Sequence, residues 1–261
     1  MKRTYVKLRT VAGLTGCFLF TSCRSAQETT ARYEISKVEG NMITIDSTWD
    51  ANPDKKATTV LKPYKDKVDA MMYEVIGTSE MKMDKGTPES LLSNLVASVL
   101  QEAAAQVLGK PADMGLVNMG GLRNILPKGD ITGGAVFEIL PFENSLCVLT
   151  MKGTDMKRLF KAIASLHGEG VSGIRLEINK KEEWLNATIG GKPVVDDQLY
   201  TVATIDYLAD GNGRMDAFLQ AEKRECPEDA TLRGLFLDYV RKQTAEGKII
   251  TSKLDGRITV K

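Results

Sequence analysis

A chain of 261 residues has room for one domain of ordinary size and an N-terminal leader, and its 43% hydrophobic content is enough for a packed core. Charge is almost balanced, 35 Lys+Arg against 34 Asp+Glu. Without residues 1–22, which carry Lys2, Arg3, Lys7 and Arg9 and no acid, 31 basic residues face 34 acidic ones, a formal −3 that argues against nucleic-acid binding. The chain has one histidine, His167, and four cysteines without a C-x-x-C pair, so a zinc site is not expected.

The first elements belong to export. A basic start (Met1–Arg9) precedes a short apolar run, Val11–Phe20, too short to remain as a membrane-spanning helix. Phe20-Thr21-Ser22-Cys23 reads as a lipobox, which makes residues 1–22 a lipoprotein signal peptide and Cys23 the lipidated first residue of the mature chain. Leu14-Thr15-Gly16-Cys17 also fits that pattern, but cleavage there strands Phe18–Phe20 outside the signal. At ~0.8 kcal/mol per buried methylene, acyl chains on Cys23 would hold the protein on a membrane. Nothing acidic follows Cys23 in Arg24-Ser25-Ala26, which favours the periplasmic face of a bacterial envelope. Residues 23–32 have the small, polar composition of a tether, and residues 33–261 are assigned to one domain.

Within that domain, short strands are expected over Arg32–Val38 and Asn41–Asp46. The apolar spacing of Val68, Met71, Met72 and Val75 predicts a helix over Leu61–Ile76 with the methionines as core filler, and Gly77–Gly86 reads as loop. Pro88 and Glu89 open a helix whose apolar face runs Leu92, Leu95, Val96, Val99, Leu100, Ala103 and which stops at Gly109 and Pro111. Met114–Asn118 predicts a strand, Thr132–Ile139 a helix, and Leu146–Met151 a strand. A helix over Asp155–Leu166 has Thr154 as N-cap and Gly168 beyond its end. Strands follow near Gly173–Asn179, Ala187–Ile189 and Leu199–Thr204, then a helix over Asp229–Thr244 and a strand over Arg257–Val260. Without a strict βαβ rhythm, the fold class is α+β with a mixed β-sheet and flanking helices. Cys147, in an apolar strand, and Cys226, in a polar stretch, are read as two free thiols; an oxidising compartment leaves a disulfide open.

Three segments carry chemistry. In Asn118-Met119-Gly120-Gly121-Leu122-Arg123 the glycines let backbone approach a ligand, while Asn118 and Arg123 offer an amide and a planar cation suited to phosphate. In Ile139-Leu140-Pro141-Phe142-Glu143-Asn144 the aromatic Phe142 stands among polar neighbours. In Asp206-Tyr207-Leu208-Ala209-Asp210-Gly211-Asn212-Gly213 an aromatic residue precedes a glycine-containing loop. Their order and spacing resemble the C-terminal, substrate-binding domain of the 5'-nucleotidase family, over roughly Lys37 to Met215. The resemblance implies that Phe142 and Tyr207 sandwich a nucleobase, that Asn118, Gly120, Gly121 and Arg123 cradle the rest of a nucleoside or nucleotide, and that Asn212 stands in for an Asp that usually reaches the ribose; Asp210 is a second candidate. Ser93 replaces a family glycine, and Pro88 stands where some members carry a phosphate-contacting Arg.

The family's hydrolases hold two metal ions in a separate metallophosphoesterase domain rich in His, Asp and Asn. A single histidine cannot supply that cluster. The expected catalytic residues and cofactors in this chain are therefore none, divalent metals being expected only in a separate catalytic partner. The sequence implies an exported lipoprotein that binds a nucleoside or nucleotide as half of a split nucleotidase, hydrolase by family but without a catalytic site of its own. Two alternatives stand beside it: a self-sufficient hydrolase with Asp/Asn metal ligation, and a degenerate structural or adaptor lipoprotein of the same fold.

Overall fold

The structure, a computed structural model, describes residues 34–261. The signal peptide, Cys23 and the tether at 23–32 lie outside the described residues. The chain divides into two units at Pro53/Asp54. In the first, residues 34–46 form no regular element, and a 3-10 turn, Ser47–Ala51, is capped by Asp46, which accepts from the Thr48 amide at 3.0 Å. The expected strands over 32–38 and 41–46 are thus not formed in their described parts. Ile35, Val38, Met42, Ile43 and Ile45 are all exposed, and apolar residues without a partner ladder or a face to cover do not make a stable strand.

The second unit is α+β, with elements in the order α1 (Lys55–Tyr73), β1 (Val75–Ser79), α2 (Leu91–Ala103), α3 (Ala105–Leu108), β2 (Met114–Val117), β3 (Gly129–Thr132), α4 (Gly133–Ile139), β4 (Leu146–Lys152), α5 (Gly153–Ser165), β5 (Gly170–Ser172), β6 (Ile174–Ile178), β7 (Trp184–Ile189), β8 (Lys192–Pro193), β9 (Leu199–Ile205), α6 (Asp206–Ala209), β10 (Lys223–Glu225), α7 (Leu232–Ala245) and β11 (Ile258–Val260). The central sheet runs β10-β4-β9-β2-β5. It is mixed: β4 is antiparallel to β9, from Leu146↔Ile205 to Lys152↔Leu199, while β9 and β2 are parallel. A second sheet, β11-β6-β7-β8, and the β1–β3 pair complete the fold.

Helix α2 shows why these residues make this core. The Ser90 hydroxyl accepts from the Ser93 amide at 3.3 Å and starts the helix, and Leu92, Leu95, Val96, Val99 and Leu100 are all buried as it packs on β2, β5 and β9. The approach requires Gly115 in β2, because a Cβ there would run into the Ala97 carbonyl and the Ser172 hydroxyl. Helix α5 packs on β4, β9 and β7 and buries Met156, Leu159, Phe160 and Ile163.

Several boundaries differ from expectation for physical reasons. Helix α1 begins at Lys55 because Asp54 accepts from the Ala57 amide at 2.8 Å, and it ends at Tyr73 because Val75 and Gly77 enter the ladder with β3. Met71 is 56% exposed rather than core, as are Leu61, Tyr64 and Val68 on the same stripe to similar degrees. Thr154 does not cap α5; its own amide and that of Gly153 donate to the Asp196 and Gln198 carbonyls at 3.1 and 2.9 Å, so a neighbouring loop replaces the cap. The free-thiol reading of Cys147 and Cys226 is corrected, since the two are joined in a disulfide. The antiparallel pairing Glu225↔Val148 brings Cys226 opposite Cys147.

Candidate functional site

The three sequence segments meet at one end of the central sheet. Chain leaving β2 reaches Asn118 and turns through Met119–Gly121, with the Gly121 amide donating to the Asn118 carbonyl at 3.0 Å. A Cβ on Gly121 would lie 3.0 Å from Asn118 Oδ1, so a larger residue there would press on that side chain. That oxygen is itself buried with no hydrogen-bond partner, a feature that in native proteins marks strain or a functional position. Pro141 and Phe142 follow α4 and lead into β4. Tyr207 lies in α6, which continues directly from β9. Because β4 and β9 are neighbours, the two aromatic segments lie at the same end of the sheet: the Asp206 amide donates to the Ser145 carbonyl at 2.9 Å, and Leu146 pairs with Ile205.

Asn118, Gly120, Gly121, Arg123, Phe142 and Tyr207 line one cavity of about 350 Å³, with Asn144 as a seventh wall. A narrow recess leading from the same residues is closed by the apolar side chains of Val117, Leu140, Ile205 and Leu232. The volume lies within the range of small-molecule sites. Volume alone does not select it, because a cavity of about 400 Å³ borders Tyr239 and Arg257 and one of about 350 Å³ borders Arg158 and Arg214. Chemistry does. Phe142 and Tyr207 are 47% and 44% exposed, so neither is an ordinary core residue. The Arg123 guanidinium sits 5.7 Å from the Phe142 ring centre and donates to the Gly120 carbonyl at 3.2 Å. Among the described residues it makes no ion pair, so its charge remains available to an anion.

Two expected contributors fall elsewhere. Asn212 is exposed in the Gly211–Gly213 loop and is not among the residues lining the cavity. Asp210 is ion-paired with Arg224 at 2.6 Å, and Arg224 Nε also donates to Cys226 Sγ at 3.2 Å. Asp206 opens α6 and accepts from the adjacent Tyr207 amide at 2.8 Å. His167 ends α5 with φ 58°, and its Nδ1 is 4.0 Å from Glu182 Oε1. No group of three or more His, Cys, Asp or Glu that could hold a metal ion occurs among the described residues.

Sequence reasoning missed three groups behind the cavity. Asn144 forms part of its wall. Glu169, only 8% exposed, accepts from the Met119 amide and so ties down the Asn118–Gly121 turn; burial pushes its carboxyl up to about 7 against the opposing pull of that hydrogen bond. Arg233 approaches from α7. Asn144 stands in the Ile139–Asn144 segment, whereas local sequence signals neither Glu169 nor Arg233, because both act across the fold.

Residues 75–220 match the family described as 5'-nucleotidase, C-terminal domain. The chain belongs to this family. Its fold is that of a 5'-nucleotidase precursor from Thermus thermophilus, with a TM-score of 0.66 and 26% identity over 81% of this chain and 44% of that one. It is similar to endonuclease YhcR of Bacillus subtilis, at 28% identity over 69% of this chain and 15% of the relative. It is also similar to cell wall protein Lmo0130 of Listeria monocytogenes, at 27% identity over 81% and 30%. The chain thus spans less than half the length of each of these three proteins.

Proposed function

We propose that the cavity between Asn118 and Tyr207 binds a nucleoside or nucleotide, and that the chain is the binding half of a split nucleotidase carried on the bacterial envelope through a lipidated Cys23. The observation that carries the reading is one cavity holding two half-exposed aromatic side chains together with an arginine that has no acidic partner among the described residues. Aromatic stacking suits any nucleobase, at about 1–3 kcal/mol per base. The unpaired guanidinium at the cavity wall suits a phosphate, in bidentate geometry where it can reach one. Membership of a 5'-nucleotidase domain family and the names of its relatives, a nucleotidase precursor and an endonuclease among them, support a nucleotide ligand and nucleotide catabolism.

Catalysis is assigned to a separate metallophosphoesterase chain. Within this chain Phe142 and Tyr207 would hold the base, Arg123 the phosphate, and Asn118 with the glycine turn the remaining polar edge. The leader sequence and the Listeria cell wall relative support an envelope location. Calorimetric titration of adenosine and then AMP into protein lacking residues 1–23 tests the reading. Saturable heat, abolished by Phe142→Ala and by Tyr207→Ala, is the expected result. Absence of heat with every nucleoside and nucleotide refutes it and favours the adaptor alternative, to which the engaged Asp210, the displaced Asn212 and Pro88 already lean.

A further inference from the structure

Phe142 is about half exposed, with the Arg123 guanidinium over one side of its ring. The loop that carries it is gripped by a guanidinium from the other side of the wall. Arg233, in the first turn of α7, is only 7% exposed. Its Nη1 donates to the Leu140 carbonyl at 3.1 Å, its Nη2 is ion-paired with the Glu143 carboxylate, and its Cζ stands 4.1 Å from the Phe137 ring centre. One planar cation thus grips the residue two before Phe142 and the residue after it, and stacks on the helix that delivers the loop. The adjoining backbone is pinned as well, with the Leu232 amide donating to the Asn144 carbonyl at 2.8 Å. Arg233 also lies beyond residues 75–220, the span matched to the family.

We propose that Arg233 is the positioning residue of the aromatic slot, setting where the Phe142 ring stands without touching the ligand itself. A buried arginine that merely joined α4 to α7 would need no contact on the far side of Phe142, yet Glu143 is its ion-pair partner. Lysine cannot reproduce the arrangement, because a point charge on a flexible stem has neither the fork nor the flat face. The proposal rests on the nucleotide reading of the cavity only where affinity is measured.

The test uses the mature lipoprotein in detergent, labelled with fluorophenylalanine; of its five Phe resonances, from Phe137, Phe142, Phe160, Phe218 and Phe236, that of Phe142 is the one lost in Phe142→Leu. In Arg233→Met the Phe142 resonance is expected to shift and to narrow as the ring gains freedom. Glu143→Gln, a change at an exposed carboxylate that does not threaten folding, is expected to move it the same way by less. The affinity arm is a double-mutant cycle with AMP: Arg233→Met weakens binding roughly tenfold in the parent and not at all in the Phe142→Ala background, while Arg233→Lys recovers part of the loss. An unmoved Phe142 resonance in Glu143→Gln and Arg233→Met overturns the proposal, as does an equal AMP penalty with and without Phe142. A parent that binds no AMP but shows the expected fluorine response overturns the nucleotide reading and leaves the positioning role supported.

Discussion

Glu169 gives the stability of this domain a definite pH signature. Its carboxyl is buried, its ordinary value of 4.5 is pushed up to about 7, and the cause is desolvation opposed by the Met119 amide. Raising a carboxyl in the folded state means that between these two values the folded protein holds a proton that the unfolded chain has released. Stability from this group is therefore complete below pH 4.5, falls as pH rises, and is lost once pH passes about 7. At ~1.36 kcal/mol per pH unit the displacement amounts to about 3 kcal/mol. Glu169→Gln keeps a carbonyl to accept the Met119 amide and removes the titration. Urea unfolding of both proteins at intervals from pH 4.5 to 8 reads the effect, and the difference between the curves cancels every group that the two share. The variant is expected to gain about 3 kcal/mol relative to the parent across that range. Parallel curves would refute the assignment of a buried, proton-holding carboxyl beneath the Asn118–Gly121 turn.

Phe142→Ala and Tyr207→Ala are each expected to cost about 1–3 kcal/mol of nucleoside affinity by calorimetry, with unfolding midpoints nearly unchanged because both rings are about half exposed. Arg123→Ala is expected to weaken AMP by about 1.5–3 kcal/mol while sparing adenosine, as suits a charged hydrogen-bond partner of phosphate. Gly115→Ala, which drives a methyl group into the Ala97 carbonyl, should destabilise the domain by about 1–3 kcal/mol in chemical denaturation. Reduction of Cys147–Cys226 reopens a chain separation of 79 residues and should lower stability by about 2–4 kcal/mol, read as a drop in the urea midpoint with thiol present.

Elements whose burial is local in sequence were legible in advance. The periodic face of α2 and the apolar runs of β4 and β9 dictate their own conformation, and six of the seven expected site residues share a cavity because their segments follow or precede neighbouring strands. The rest depends on partners distant along the chain. The apolar residues at 35–45 looked like strands but have no ladder to join. Strands β5 and β10 are three residues each, and β10, Lys-Arg-Glu, is recognisable only once β4 lies beside it. That same pairing makes the disulfide. Glu169 stands in Gly-Glu-Gly and Arg233 in Leu-Arg-Gly, contexts that say nothing of a buried carboxylate or a buried cation. Asn212 failed for the opposite reason: its loop fits the pattern, but its side chain is not part of the wall.

The placement of the Phe142 and Tyr207 segments at one end of β4 and β9 has a mechanical consequence. Adjacent strands sit about 4.7–4.9 Å apart because backbone hydrogen bonds fix that spacing. The footings of the two aromatic segments therefore stand a fixed width apart, like jaws bolted to one plate. Moving those footings apart would mean unzipping the ladder at Leu146 and Ile205, whereas the loop that carries Phe142 above them can still bend. The sheet thus sets the width of the base, while the Arg233 contacts to Leu140 and Glu143 set the position of the Phe142 loop above it.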